Sequence, residues 1–178
     1  MRLKEKYQKE IIPKLEEKFG FKNERNVPHL EKVVLNVGFG KFSKEKEYIS
    51  DVERGLTKIS GQKIVFTKAK KSISAFKIRE GMTIGAMVTI RGQRMYDFVE
   101  KLVGLTFPRV RDFRGITDKA IDSKGNMTIG FKDYSCFPEI KVEDVDKIYG
   151  LEVCIATSAK NREEGLELFR LIGFPFKK

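Results

Sequence analysis

A chain of 178 residues with 40% apolar side chains and 14 Phe can bury one substantial core but has no room for several domains. Its 36 Lys and Arg against 25 Asp and Glu give a formal charge of +11, and its apolar runs are far too short for a membrane span. One His excludes histidine-based metal clusters, and two cysteines outside any C-x-x-C predict neither a disulfide nor a metal site, which points to the cytoplasm.

The first residues, Met1-Arg2-Leu3-Lys4-Glu5-Lys6, alternate in charge and predict no signal or transit peptide. Leu3, Tyr7, Ile11, Leu15 and Phe19 recur at every fourth position and lie on one helix face, with Gly20 as a stop and Pro13 expected to kink or divide the helix. Residues 1–20 thus read as a helical extension of one domain spanning 1–178. Residues 32–38 read as a strand. Ser43 is expected to cap a second helix carrying Tyr48, Val52, Leu56 and Ile59, ended by Ser60-Gly61. Strands follow at 64–67 and 84–90, compatible with a hairpin.

Met95, Phe98, Val99 and Leu102 mark a third helix, and helical periodicity fades around Phe107-Pro108, leaving 109–115 as an ordered loop. Residues 126–131 and 151–157 read as strands, with Cys154 expected as a small buried apolar residue. Asn161 with Glu164 resembles a capping box, opening a last helix that ends near Gly173. There is no internal repeat, low-complexity tract or long linker. The expected fold class is α+β: a single domain with a largely antiparallel, mixed sheet and helices packed on one face. The other face, with Asn36 and Thr89, would be free to bind something.

Charge is concentrated in the middle third. Residues 54–114 hold fourteen basic and four acidic side chains, so they carry +10 of the excess, and 63–79 hold six cations and no acid. Such a face suits a polyanion, and the commonest in the cytosol is nucleic acid. Interleaved Phe66, Phe76 and hydroxyls fit RNA better than an anionic membrane, which would need a clean amphipathic helix. Phe66 is expected in the core and Phe76 at an exposed tip. Gly38-Phe39-Gly40-Lys41-Phe42-Ser43 fails as a phosphate loop, lacking both G-x-x-x-x-G-K-[ST] and dinucleotide spacing. It reads as a strand-to-helix turn that could still hold an RNA phosphate. His29 reads as a surface or structural residue. Arg109, Arg111 and Arg114 suit a second anion contact or internal pairing with Asp112 and neighbouring acids inside the fold. Glu139, Glu143, Asp144 and Asp146, near an exposed-looking Phe137-Pro138, form an acidic patch that is either solvated or a dock for a basic protein.

Six blocks then occur in order: Val33-Val34-Leu35-Asn36-Val37-Gly38, Ile59-Ser60-Gly61-Gln62-Lys63, Ala69-Lys70-Lys71-Ser72-Ile73, Phe76-Lys77-Ile78-Arg79-Glu80-Gly81-Met82, Val88-Thr89-Ile90-Arg91-Gly92 and Pro108-Arg109-Val110-Arg111-Asp112-Phe113-Arg114-Gly115. With the tail Phe174-Pro175-Phe176, they resemble the bacterial-type large-subunit ribosomal protein L5 family, which binds 5S rRNA. The resemblance implies a structural constituent of the central protuberance, on the cytoplasmic ribosome. It implies rRNA contacts through Asn36, Gln62, Lys63, Lys68, Lys70, Thr89 and Arg91. It implies a loop reaching peptidyl-site tRNA through Lys71, Ser72, Ser74, Phe76, Lys77 and Arg79. It implies a bridge to a small-subunit protein through Arg109, Arg111, Arg114, Glu139, Glu143, Asp144 and Asp146. 23S rRNA and neighbouring large-subunit proteins would be further partners; no cofactor, metal or membrane is implied. The alternative is another RNA-binding protein or an RNA-acting enzyme, although no acid/base, nucleophile or metal set is legible.

Overall fold

The computed structural model describes residues 2–140 and 148–177. Five strands form one antiparallel sheet in the order β2-β3-β1-β5-β4. They are β1 (Leu30–Gly38), β2 (Val65–Lys68), β3 (Thr83–Ile90), β4 (Met127–Phe131) and β5 (Leu151–Thr157). The α+β class read from the sequence holds. In β1, Val33, Leu35 and Val37 are buried while Val34 and Asn36 between them are half-buried, the two-residue period of a sheet with one covered face. By packing, the chain forms two compact units, Met1–Val33 with Ile90–Ile129 and Cys154–Lys178, and Val34–Thr89 with Gly130–Val153.

In the first unit the N-terminal helix is built from α1 (Leu3–Lys6), a π-helical turn (Tyr7–Ile11) and α2 (Ile12–Phe19). Apolar residues spaced by four drift around an ordinary helix of 3.6 residues per turn, and the wider turn offsets that drift. Leu3, Tyr7, Ile11 and Leu15 are accordingly all buried. Pro13 falls in the opening turn of α2, directly after the wide turn, where a missing N–H costs no bond of that piece. The π turn also packs on α6 (Arg162–Ile172), α1 on α4 (Gly92–Lys101), and Lys18 pairs with Glu167 of α6 at 2.6 Å.

The helix expected to fade around Phe107-Pro108 runs from α4 through a second π turn (Leu102–Thr106) into α5 (Phe107–Arg109), and the expected loop follows. Pro108 again stands in a first turn, so it does not end the helix. Phe107 anchors this end: Phe113 stacks on it at 5.0 Å, and Phe174 meets it edge-on at 6.0 Å. The C-terminal segment is tied down by Ile116 N–H donating to Pro175 O and Lys177 N–H to Ile116 O, both at 2.8 Å.

The second unit packs α3 (Lys46–Ser60) through Tyr48, Val52, Leu56 and Ile59. Ser43 does not cap it. A 3-10 turn at Gly40–Phe42 lengthens the loop, Glu45 takes the cap position, and its N–H donates to Phe42 O at 2.9 Å. Tyr149 and Tyr134 stack with ring centroids 3.8 Å apart beside Gly55, where a side chain would fall on the Tyr149 hydroxyl. Phe137, expected near the surface, is fully buried and meets Phe131 edge-on at 5.5 Å.

Candidate nucleic-acid interface

In the second unit β2 and β3 pair as the expected hairpin, with Val65 opposite Met87, Phe66 opposite Ala86 and Thr67 opposite Gly85. Gly85 is required there, since a Cβ would lie 2.6 Å from Thr67 Oγ1 and 2.9 Å from Val37 O. β2 is an edge strand with one neighbour, which is why Phe66, expected in the core, is 36% exposed and Val65 is exposed beside it.

β2 pairing stops at Val65, so the next outward carbonyl of β3, Thr89 O, lacks a strand partner. Gln62 supplies it: its Nε2 donates to Thr89 O at 2.7 Å. The bond pins the Gln62 amide against β3 and leaves its Oε1 as an acceptor. Thr89 and Asn36 are both half-buried on the less covered side of their strands, and Asn36 Nδ2 donates to the exposed Glu152 carboxylate at 3.4 Å. These three polar groups share a unit and are held by the sheet rather than by mobile loops.

Beyond the strands the hairpin continues. Ala69 N–H donates to Met82 O at 2.8 Å, Gly81 N–H to Ala69 O at 3.0 Å, and Ile73 and Ile78 exchange two backbone bonds. A 3-10 turn at Ser74–Phe76 closes the tip, and Lys77 takes the left-handed conformation with φ 54°. The segment read as a basic run is therefore an ordered hairpin tip. Lys63, Lys68, Lys70, Lys71, Lys77 and Arg79 are all exposed, and none forms an ion pair with a described residue. Phe76 is 64% exposed at the tip, as its position suggested. Ser72 Oγ accepts from Glu80 N–H at 2.9 Å, and Ser74 is exposed. Chemically this surface offers point charges, hydroxyls and an aromatic ring, the components that bind phosphates and stack bases. Phe42, which sequence reasoning did not select, is 42% exposed with its ring against Tyr48 at 4.7 Å. The signal for it was Lys41-Phe42-Ser43-Lys44, cations flanking an aromatic residue.

In the first unit Arg91 is exposed at the N-cap of α4. Arg109, Arg111 and Arg114 are exposed, and none pairs with Asp112 or another described residue. Asp112 itself has φ 53°, which turns the chain while Phe113 stays stacked. Cys154 is half-buried rather than buried, because it lies on the opposite side of β5 from Val153 and Ile155; Thr128 Oγ1 donates to its sulfur at 3.7 Å. His29 is structural: its ring meets Ser158 Oγ at 2.9 Å, and its N–H donates to the same oxygen at 3.0 Å. Of the acidic patch, Glu139 in the second unit is half-buried, and Glu143, Asp144 and Asp146 lie outside the described residues.

Among the described residues no group of three or more His, Cys, Asp and Glu is placed to hold a metal ion, and no helix is long and apolar enough to cross a membrane. Comparison with known proteins matches residues 23–79 to the family model of ribosomal protein L5, and residues 83–176 to the model of that ribosomal family's C-terminus. The chain is 51% identical over 176 residues to large ribosomal subunit protein uL5 of Halothermothrix orenii, covering 99% of this chain and 98% of that one. It is 52% identical over 176 residues to uL5 of Fervidobacterium nodosum, covering 99% and 96%, and 53% identical over 175 residues to uL5 of Desulforapulum autotrophicum, covering 98% of each.

Proposed function

Because the chain belongs to the ribosomal protein L5 family, and is thus a non-enzymatic protein of the large ribosomal subunit, we propose that it binds 5S rRNA in the central protuberance. On this reading Asn36, Gln62 and Thr89 meet the RNA from the sheet, while Lys63, Lys68, Lys70 and Arg91 neutralise its phosphates. The hairpin tip, with Lys71, Ser72, Ser74, Phe76, Lys77 and Arg79, reaches peptidyl-site tRNA. Arg109, Arg111 and Arg114, and the acidic segment containing Glu139, Glu143, Asp144 and Asp146, face a small-subunit protein at an intersubunit bridge. 23S rRNA and neighbouring large-subunit proteins complete the surroundings.

The observation that supports this reading most is the row of exposed cations, none in an ion pair with a described residue, on an ordered hairpin next to polar groups fixed on the sheet. Cations left without internal partners keep their full charge for an anion, and a pinned amide presents its acceptor without a further entropic cost. The test is a salt titration of binding to 5S rRNA beside an unrelated RNA and anionic vesicles. Steep salt dependence with preference for 5S rRNA is expected. Lys70→Glu with Lys71→Glu should weaken binding while leaving the melting transition unchanged. Equal binding to every polyanion would reject the reading.

A further inference from the structure

We propose that the groove between the 38–44 loop and the 71–82 hairpin tip is a binding site for an RNA sugar–phosphate strand, with Phe42 as the platform on which one unpaired base stacks. The proposal rests on the RNA-binding reading above, but adds a second wall to the surface, supplied by a loop that reading does not use. The groove has a volume of about 870 Å³ and is lined by Lys44 on one side and by Ser72, Ser74, Lys77, Ile78 and Arg79 on the other. Among the described residues that line it, the charged groups are three cations, the other polar side chains are hydroxyls, and none is a carboxylate. Lys44, Lys77 and Arg79 are exposed and form no ion pair with a described residue. Such a lining has donors for phosphate oxygens and nothing that would repel them.

Both walls are built before any ligand arrives. On the hairpin side, the paired Ile73 and Ile78 backbones and the left-handed Lys77 fix where the cations emerge. On the loop side, Phe42 N–H donates to Phe39 O at 2.9 Å, which closes the turn that presents Phe42 and, two residues on, Lys44. The loops approach closely, since a Cβ on Gly40 would stand 3.4 Å from Ile78 Cδ1. Phe42 packs against the buried Tyr48 with ring centroids 4.7 Å apart and planes tilted by 31°, and is 42% exposed, so a large apolar ring is held at the surface by a second ring. An exposed aromatic ring two residues from Lys44, at the edge of a groove whose cations form no ion pair with a described residue, offers what binds single strands, stacking plus phosphate neutralisation. An acidic peptide would use the cations but leave the ring without a planar partner.

The probe is a fluorescein-labelled twelve-nucleotide oligouridylate, read by anisotropy at several salt concentrations, beside 5S rRNA and a twelve-residue oligoglutamate peptide. Phe42→Ala should weaken oligouridylate binding about tenfold, the effect of one stacked base, without changing the salt slope, and Phe42→Tyr should restore it. Lys44→Glu should weaken it as well and lower the slope by about 0.7, one phosphate on a single strand. Lys44 is exposed, so this variant stays informative if Phe42→Ala perturbs the fold, which melting by circular dichroism would reveal. Wild-type protein that binds 5S rRNA but not the oligonucleotide, or binds it unchanged in both variants, overturns the groove and leaves the parent reading intact. Equal affinity for oligoglutamate also overturns it. Oligonucleotide binding that depends on Phe42, with no binding of 5S rRNA, upholds the groove and removes the parent reading instead.

Discussion

Replacing Tyr149 by Phe separates two effects of one buried hydroxyl. Tyr149 is 3% exposed, its ring stacks on Tyr134 at 3.8 Å, and its oxygen has no hydrogen-bond partner among the described residues. Leaving a polar group buried and unsatisfied costs about 1–3 kcal/mol, so Tyr149→Phe should leave stability at pH 7 unchanged or raise it by up to about that amount. The same burial, with the neighbouring Tyr134, Tyr48 and Asp51 opposing a further negative charge, pushes the phenol above its ordinary value of 10.0. Because the folded-state value is the raised one, the stabilising contribution is complete below pH 10. Above it the unfolded chain loses its proton first, and stability falls by about 1.4 kcal/mol per pH unit for each such group. Tyr7 and Tyr96 are raised too, burial being the main cause, so the wild type should lose stability steeply in alkali. Urea unfolding at pH 7, 10 and 11 should show the variant losing about 1 kcal/mol less than wild type between pH 10 and 11, where the unfolded tyrosine goes from half to almost wholly ionised. A loss of more than about 1 kcal/mol at pH 7, the size of a broken hydrogen bond, would refute the unsatisfied hydroxyl, and parallel alkaline curves would refute the titration argument.

Gly55→Ala places a methyl on the Tyr149 hydroxyl and 3.4 Å from the Tyr134 ring, so overpacking should cost about 1–3 kcal/mol in urea unfolding, partly relieved by adding Tyr149→Phe. Asn161 Oδ1 accepts from Glu164 N–H at 2.9 Å to cap α6, and Asn161→Ala should destabilise by about 1 kcal/mol in the same assay. Asn36→Ala should weaken 5S rRNA binding in filter titrations by about 1–3 kcal/mol at nearly unchanged melting temperature. Gln62→Ala should lose both affinity and about 1 kcal/mol of stability, because its bond to Thr89 O goes with it.

Much of this molecule is legible in its sequence because strand and cap signals are local. The alternation Val33, Leu35, Val37 against Asn36 sorts β1 by face, and the Asn161–Glu164 spacing marks the start of α6. Both misjudged phenylalanines depended on sheet order and long-range packing. Phe66 has strand periodicity but sits on an edge, and Phe137 reads as loop but meets Phe131. The π turns that carry the helices past Pro13 and Pro108 leave no composition signal, since a spacing of four reads as an ordinary helix. Ser43 looked like a cap because nothing local announces that Phe42 turns back onto Tyr48. The candidate site divides in the same way. Its cations were visible as a run without acids, whereas the hairpin that orders them, the Gln62–Thr89 bond and the wall contributed by Lys44 all come from pairings across the fold.

The central claim is that RNA is held by the cations beside the sheet groups of the second unit. Its most direct test is lysine reactivity toward an acylating reagent, read by mass spectrometry with and without 5S rRNA. Lys63, Lys68 and Lys70 should lose reactivity in the complex, while Lys124, Lys132 and Lys160, exposed on other segments, keep theirs. Unchanged reactivity at Lys63, Lys68 and Lys70 in a formed complex, or protection of the second set in their place, would contradict the assignment.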